Sequence, residues 1–252
     1  MTMRLVCLFV AVVGLAYPQP GDLRGVWKAE GKAYLNLETP GVIFEPASGK
    51  IPYLPEAKAQ AVANFEQRAG GDPDERCFQP GVPRATALPY PFQILQNDRA
   101  VYIVYQRAHS YRVLYLHRTP HNDGLAYAMG DSRAHWEGST LVADVASFSG
   151  QTWLDAAGHT HSDQLHVVER YTRTSPASIV YEAAIEDPKV FTMPWKIHLT
   201  LRRQSGAELI EDECEVDSNV CGTTCCLSED ERQNKDPGVG AIAFLWIGSA
   251  LR

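Results

Sequence analysis

The sequence predicts a mainly β protein, a single antiparallel β-barrel of eight or nine strands with one external α-helix. Three observations carry this. From Phe92 onward, short alternating segments rich in Val, Ile, Tyr and Thr follow one another with turn residues between them. No helical periodicity interrupts the series, which argues against the strand–helix alternation of a parallel sheet. One upstream segment carries helix start and stop signals at its two ends.

Taken in order, the first strand is expected in "GDLRGVWKAE". Residues 37–54 hold prolines and glycines and read as irregular. "PEAKAQAVANFEQRAGG" reads as a helix near 55–69. Pro55 suits its first position, Ala57, Ala61 and Phe65 share a face with Val62 beside them, and Gly70 and Gly71 end it. "DPDERCFQPGVPRATALPYPF" has five prolines in 21 residues, so it is neither a helix nor a central strand. Strands are then expected in "FQILQ", "AVYIVYQR", "SYRVLYLH", the hairpin "RAHWEG"/"TLVADVASF", "QLHVVERYTR", "SIVYEAAIE" and "WKIHLTLRR", with "AELIEDECE" as one more. Closure into a barrel removes the exposed edges of such a sheet, and eight strands leave room for one small ligand.

The chain has 252 residues, 45% of them hydrophobic and 21% charged, enough for a substantial core. A net charge of −7, without a basic block, argues against nucleic-acid binding. The N-terminus, "MTMRLVCLFVAVVGLAYPQP", has Arg4, an apolar run of eleven residues from Leu5 to Leu15, and small residues at Gly14 and Ala16. This is the pattern of a secretory signal over 1–16, too short for a stable membrane span. The expected domains are therefore the signal, a barrel domain over 17–217, and a cysteine-containing polar tail over 218–252 that ends in a short apolar segment. A secreted or periplasmic location permits disulfides. Five cysteines remain after signal removal, so pairing is incomplete within the chain. Cys77 and Cys214 flank the β-rich region and are the expected pair, closing a loop worth about 4–5 kcal/mol in the chain-entropy model. Cys221, Cys225 and Cys226 lack zinc-site spacing.

Candidate chemistry centres on "TWLDAAGHTHSDQLHVVERYTR". If Gly158–Asp163 is extended, His159, His161 and Asp163 alternate onto one face, where two imidazoles and a carboxylate could hold a divalent metal such as zinc. The alternative without a cofactor is acid–base work: His161 and His166 exchange protons while Asp163 or Asp155 orients one ring. A third reading makes the same groups a hydrogen-bond network tying the loop to the barrel rim. In "MGDSRAHWEG", Asp131 and Arg133 form an ion pair or Arg133 holds a substrate anion. Trp153, Trp136, His109 and Tyr105 are candidate pocket walls. Glu169 and Arg170 fall on opposite faces of one strand, so one of them points inward and needs a partner or a ligand. The expected partner is a small, partly apolar molecule. It is either converted by an isomerase, cyclase or lyase type of reaction or merely bound; an envelope structural protein is the further alternative.

Gly25-Val26-Trp27 resembles the first strand of lipocalin-type barrels, which implies a lipocalin-like architecture. The segments "DLRGVW", "DPDERCFQPGVPRATALPYPFQI", "MGDSRAHWEGSTLVADV", "TWLDAAGHTHSDQLHVVERYTR" and "YEAAIEDPKVFTMPW" resemble a family of uncharacterised secreted bacterial proteins, from Asp22 to Asp217. The resemblance implies a secreted β-rich domain and no particular activity. In that family the position of His159 is sometimes asparagine, which makes His159 a weaker metal-ligand candidate than His161.

Overall fold

In a computed structural model the described residues are 21–211, except 118, 119 and 123. They contain ten strands: β1 (Gly25–Ala29), β2 (Ile43–Glu45), β3 (Phe92–Gln96), β4 (Ala100–Tyr105), β5 (Tyr111–Tyr115), β6 (Asp131–Glu137), β7 (Thr140–Ala146), β8 (His166–Ser175), β9 (Ser178–Glu186) and β10 (Trp195–Arg203). Helix α1 is Pro55–Glu66, followed by single turns α2 (Arg68–Gly71) and α3 (Arg84–Ala87). The expected signal and tail, Cys214, and most of the last expected strand lie outside the described residues; residues 207–211 are not in a strand.

The sheet runs β1-β3-β4-β5-β6-β7-β8-β9-β10, and β1 pairs again with β10, which closes nine strands into a barrel. The barrel expected from the sequence is therefore present. β10 supports two partners on one edge: its C-terminal residues Leu201–Arg203 pair with β1, and Lys196 and Ile197 pair with β2. One neighbour pair departs from the antiparallel pattern. β5 and β6 run parallel and share only Leu114↔Ser132 and Tyr115↔Arg133. A parallel step needs a crossover between the strands, and residues 116–130 supply it.

The register separates the two ends of the barrel. The β3–β4, β6–β7 and β8–β9 connections are tight turns, and all three lie at one end. At the other end stand the segment 30–91 with α1, the β7–β8 loop and the β9–β10 loop. Alternation sends one residue set inward, where Trp27, Phe92, Tyr171, Tyr181 and Trp195 are fully buried. The interior is thus filled with side chains. α1 is less amphipathic than its spacing suggests: Ala61 is buried, whereas Val62 and Phe65 are exposed. Gly70 takes φ 75°, and the helix breaks before it.

Candidate functional site

The inward position on β8 is Glu169, which is fully buried, while Arg170 faces out. Its partner is Arg112, inward on β5: Nη1 and Nη2 donate to Oε1 and Oε2 at 3.1 and 2.5 Å. Tyr171 and Tyr181 hydroxyls donate to Oε1 at 3.0 and 2.8 Å, and Arg112 Nη2 also donates to Ser132 Oγ at 3.0 Å. Burial alone would depress the Arg112 pKa, and the facing carboxylate more than reverses it. Burial, then Glu169, push both tyrosines up. Tyr105 lies in this interior too, bonded to Thr86 Oγ1 at 3.1 Å, and is not the pocket wall expected. Alternation could have found Arg112, because it has the parity of Leu114 in "SYRVLYLH".

The β7–β8 loop does not present the expected face. Residues 158–163 are not a strand; Trp153↔Thr160 is their only bridge among the described residues. The reason is Asp155, fully buried, which bonds backbone in place of a ladder. Its Oδ2 accepts from Leu37 N at 2.7 Å, and Oδ1 accepts from Ala157 N and His159 N at 3.0 and 3.3 Å. Asp187 secures the same rim from the β9–β10 loop, accepting from Ser162 N and Oγ at 2.6 and 2.8 Å.

As a result the predicted residues part company. His161 turns inward: Nε2 bonds Thr152 Oγ1 at 2.7 Å, Nδ1 bonds the Ser162 carbonyl at 2.8 Å, and the ring meets Phe148 edge-on. Burial holds its pKa below the ordinary histidine value. Both nitrogens are occupied, so it has the satisfied structural role. Asp163 is exposed and pairs with Lys189 at 2.7 Å. His166 faces out on β8 and meets Asp144 Oδ1 at 3.0 Å. Asp144 also receives His121 Nε2 at 2.9 Å; burial works to raise its pKa, but the two imidazoles outweigh that and hold it low. His159, His161 and Asp163 therefore do not converge as metal ligands, and no other group of three such residues suited to a metal occurs among the described residues.

Other expected wall residues are also corrected. His109 is exposed in the β4–β5 turn at φ 48°. Trp136 packs on Gly21 near the tight-turn end. Trp153 lies against Gly71 of α2. Arg133 donates to Asp131 Oδ1 at 2.7 Å and to the Pro120 carbonyl at 3.1 Å, so it is the bridge fixing the start of β6.

The groups that do converge are Asp155, His159 and Tyr53. Asp155 Oδ2 lies 2.6 Å from His159 Nδ1. A carboxylate accepts, so Nδ1 carries a proton, and whenever the ring is neutral its lone pair is on Nε2. Nε2 makes no hydrogen bond to a described residue. The Tyr53 ring packs 5.9 Å from the imidazole, and its buried hydroxyl has no partner among the described residues. Burial, then the Asp155 and Glu38 charges, raise its pKa, so the phenol stays a donor. His159 and Tyr53 share a cavity of about 540 Å³ with Glu38, Lys50, Lys58 and the apolar Ala61, Val62 and Phe65 of α1. Burial would raise the Glu38 pKa, but Lys50 at 3.0 Å and the Ile51 N–H outweigh it. α1 reaches this position because Gly158 has no side chain: at φ 85°, a Cβ there would lie 2.8 Å from Phe65 N and Asn64 Cβ. Asn64 Nδ2 then donates to the Gly158 carbonyl at 3.1 Å. Tyr53 and Glu38 were missed because they sit in the irregular stretch between β1 and α1, where no periodicity marks a pocket wall.

No protein-family model matches this chain, and no curated protein matches it. Among solved structures, the chain is similar to a crystal structure of a mutant of the fluorescent protein UnaG, with a TM-score of 0.33 and 10% sequence identity over 73% of this chain and 96% of that one.

Proposed function

We propose that this protein binds a small, partly apolar molecule in the cavity under α1 and converts it by proton transfer through His159. Asp155 holds the ring so that Nε2 takes a proton from the substrate, and the imidazolium formed is stabilised by the same carboxylate. Tyr53 donates its hydroxyl to the oxygen on which negative charge develops, as preorganised donors do. Val62, Phe65 and Ala61 take the apolar part. This is isomerase, cyclase or lyase chemistry on a substrate with an acidic C–H beside a carbonyl, and it needs no cofactor. The observation that carries the proposal is an imidazole nitrogen on a cavity wall, with a buried phenol hydroxyl on a neighbouring wall residue, neither having a hydrogen-bond partner among the described residues. The test is exchange of substrate C–H for deuterium in D₂O across a panel of cyclic ketones and lactones, compared between wild type and His159→Gln. Exchange that is lost with His159→Gln supports the assignment; exchange that survives in full removes it. Binding of the same compounds with no exchange by wild type would leave a carrier, which the apolar α1 wall also suits.

The N-terminal pattern supports export with cleavage after residue 16, testable by N-terminal sequencing of the mature protein. In the same compartment we expect a Cys77–Cys214 disulfide, testable by peptide mass spectrometry without reduction.

A further inference from the structure

The His159 cavity carries one charge that the proposed reaction leaves unused. Lys58 of α1 lines it and is exposed. Its backbone N–H donates to the Leu54 carbonyl, and its ammonium has no acidic partner among the described residues. The helix offers none either: the positions three and four residues away are Leu54, Pro55, Ala61 and Val62. Glu38 is the acid on the cavity wall, and both its oxygens are taken, Oε2 by Lys50 at 3.0 Å and Oε1 by the Ile51 N–H at 3.0 Å. Asp155 is fully buried and commits its oxygens to His159 and to backbone N–H groups. The wall therefore holds two ammonium groups against one carboxylate, a local positive excess on a chain whose net charge is −7.

We propose that Lys58 selects a carboxylate, so that the molecule taken by this cavity is an oxo acid, a substrate class that rests on the His159 cavity being the ligand site. The carboxylate lies at the exposed end and the ketone at the buried end. Helix geometry orders the groups. Lys58, Ala61, Val62 and Phe65 fall at i, i+3, i+4 and i+7 and so share one face of α1. About 10 Å of helix separates Lys58 from Phe65, which puts a cation before an apolar run. His159 is 9% exposed, so the base stands on the inner side and the ammonium on the solvent side. One free ammonium matches a monoanion; a phosphate dianion would leave a negative charge unmatched beside Glu38. When His159 takes the C–H proton, charge develops on the ketone oxygen, and a carboxylate already paired with Lys58 repels it less.

The probes are 3-benzoylpropionate and its methyl ester, which share the ring, the ketone and the acidic C–H and differ in charge, titrated calorimetrically at neutral pH and low salt. Wild type is expected to bind the acid about fivefold more tightly than the ester, the size of one exposed ion pair. Lys58→Gln should bring the acid down to the affinity of the ester and leave the ester unchanged, and Lys58→Arg should keep the preference. Lys58 is exposed, so these variants are expected to fold as wild type does. His159→Gln should also keep the preference, because it removes the base and not the cation. An acid that binds with this preference but exchanges no deuterium in wild type would remove the reaction and leave Lys58 its role. Equal affinities for acid and ester in wild type, a preference that survives Lys58→Gln, or no binding of the acid would overturn the proposal.

Discussion

Replacing Glu169 with leucine should cost more stability than replacing Arg112 with methionine, although both remove the same ion pair. Glu169 is fully buried and accepts four hydrogen bonds, two from Arg112 and one each from Tyr171 and Tyr181. Glu169→Leu strands a buried guanidinium and two buried hydroxyls. Breaking one side of a buried pair costs about 3–5 kcal/mol, and the two hydroxyls put this variant at the upper end. Arg112→Met leaves Glu169 with both tyrosine donors, so about 3 kcal/mol is expected. The double variant removes both charges and should be less destabilised than Glu169→Leu alone. Urea unfolding followed by tryptophan fluorescence, with the four proteins forming a double-mutant cycle, measures each quantity. Arg112→Met proving the costlier change, or the two costs adding without coupling, would refute the picture of one shared acceptor serving arginine and tyrosines.

Three further outcomes are expected. Asp155→Ala should lose about 2–4 kcal/mol, because Leu37, Ala157 and His159 N–H groups lose their acceptor, and it should abolish deuterium exchange; Asp155→Asn should retain more stability than exchange activity. Stability should also fall on mild acidification. His161 has a lowered folded pKa, so below the unfolded histidine value of about 6.5 the unfolded chain binds the proton first, and stability declines from there towards the folded pKa. His161→Gln should flatten that window in thermal melts at a series of pH values, with the carboxylate-dependent loss near pH 4 unchanged. Gly158→Ala should push α1 off the loop, because its Cβ meets the backbone of Phe65 at 2.8 Å, and so impair exchange and lower Tm together.

Most of the barrel was legible because alternation is a local signal. Strands β3 to β10 fall where "FQILQ" to "WKIHLTLRR" place them, and the inward charge on β8 was foreseen from Glu169 and Arg170 having opposite parity. The parallel seam was not legible. It depends on which way the 116–130 segment crosses, and the strand pattern of β5 and β6 is the same for either direction. The site was half legible. The β7–β8 loop is where the sequence directs attention, and Asp155 is expected there to orient His161 or His166, whereas the ring it bonds is His159. The error came from treating "HTHSD" as extended. A buried Asp155 folding three N–H groups around itself breaks that spacing, sends His161 inward and leaves His159 on the cavity. The partner tyrosine is more than a hundred residues upstream, and its bridge and ring contact with Phe191 hold it there.

The separation of tight turns from long segments has a practical consequence for handling the molecule. The Gly138-Ser139 turn stands at the end remote from α1, so a tag, dye or surface linkage grafted there would anchor the cylinder by its base. The His159 cavity and the loops around it would then remain open to whatever is offered in solution.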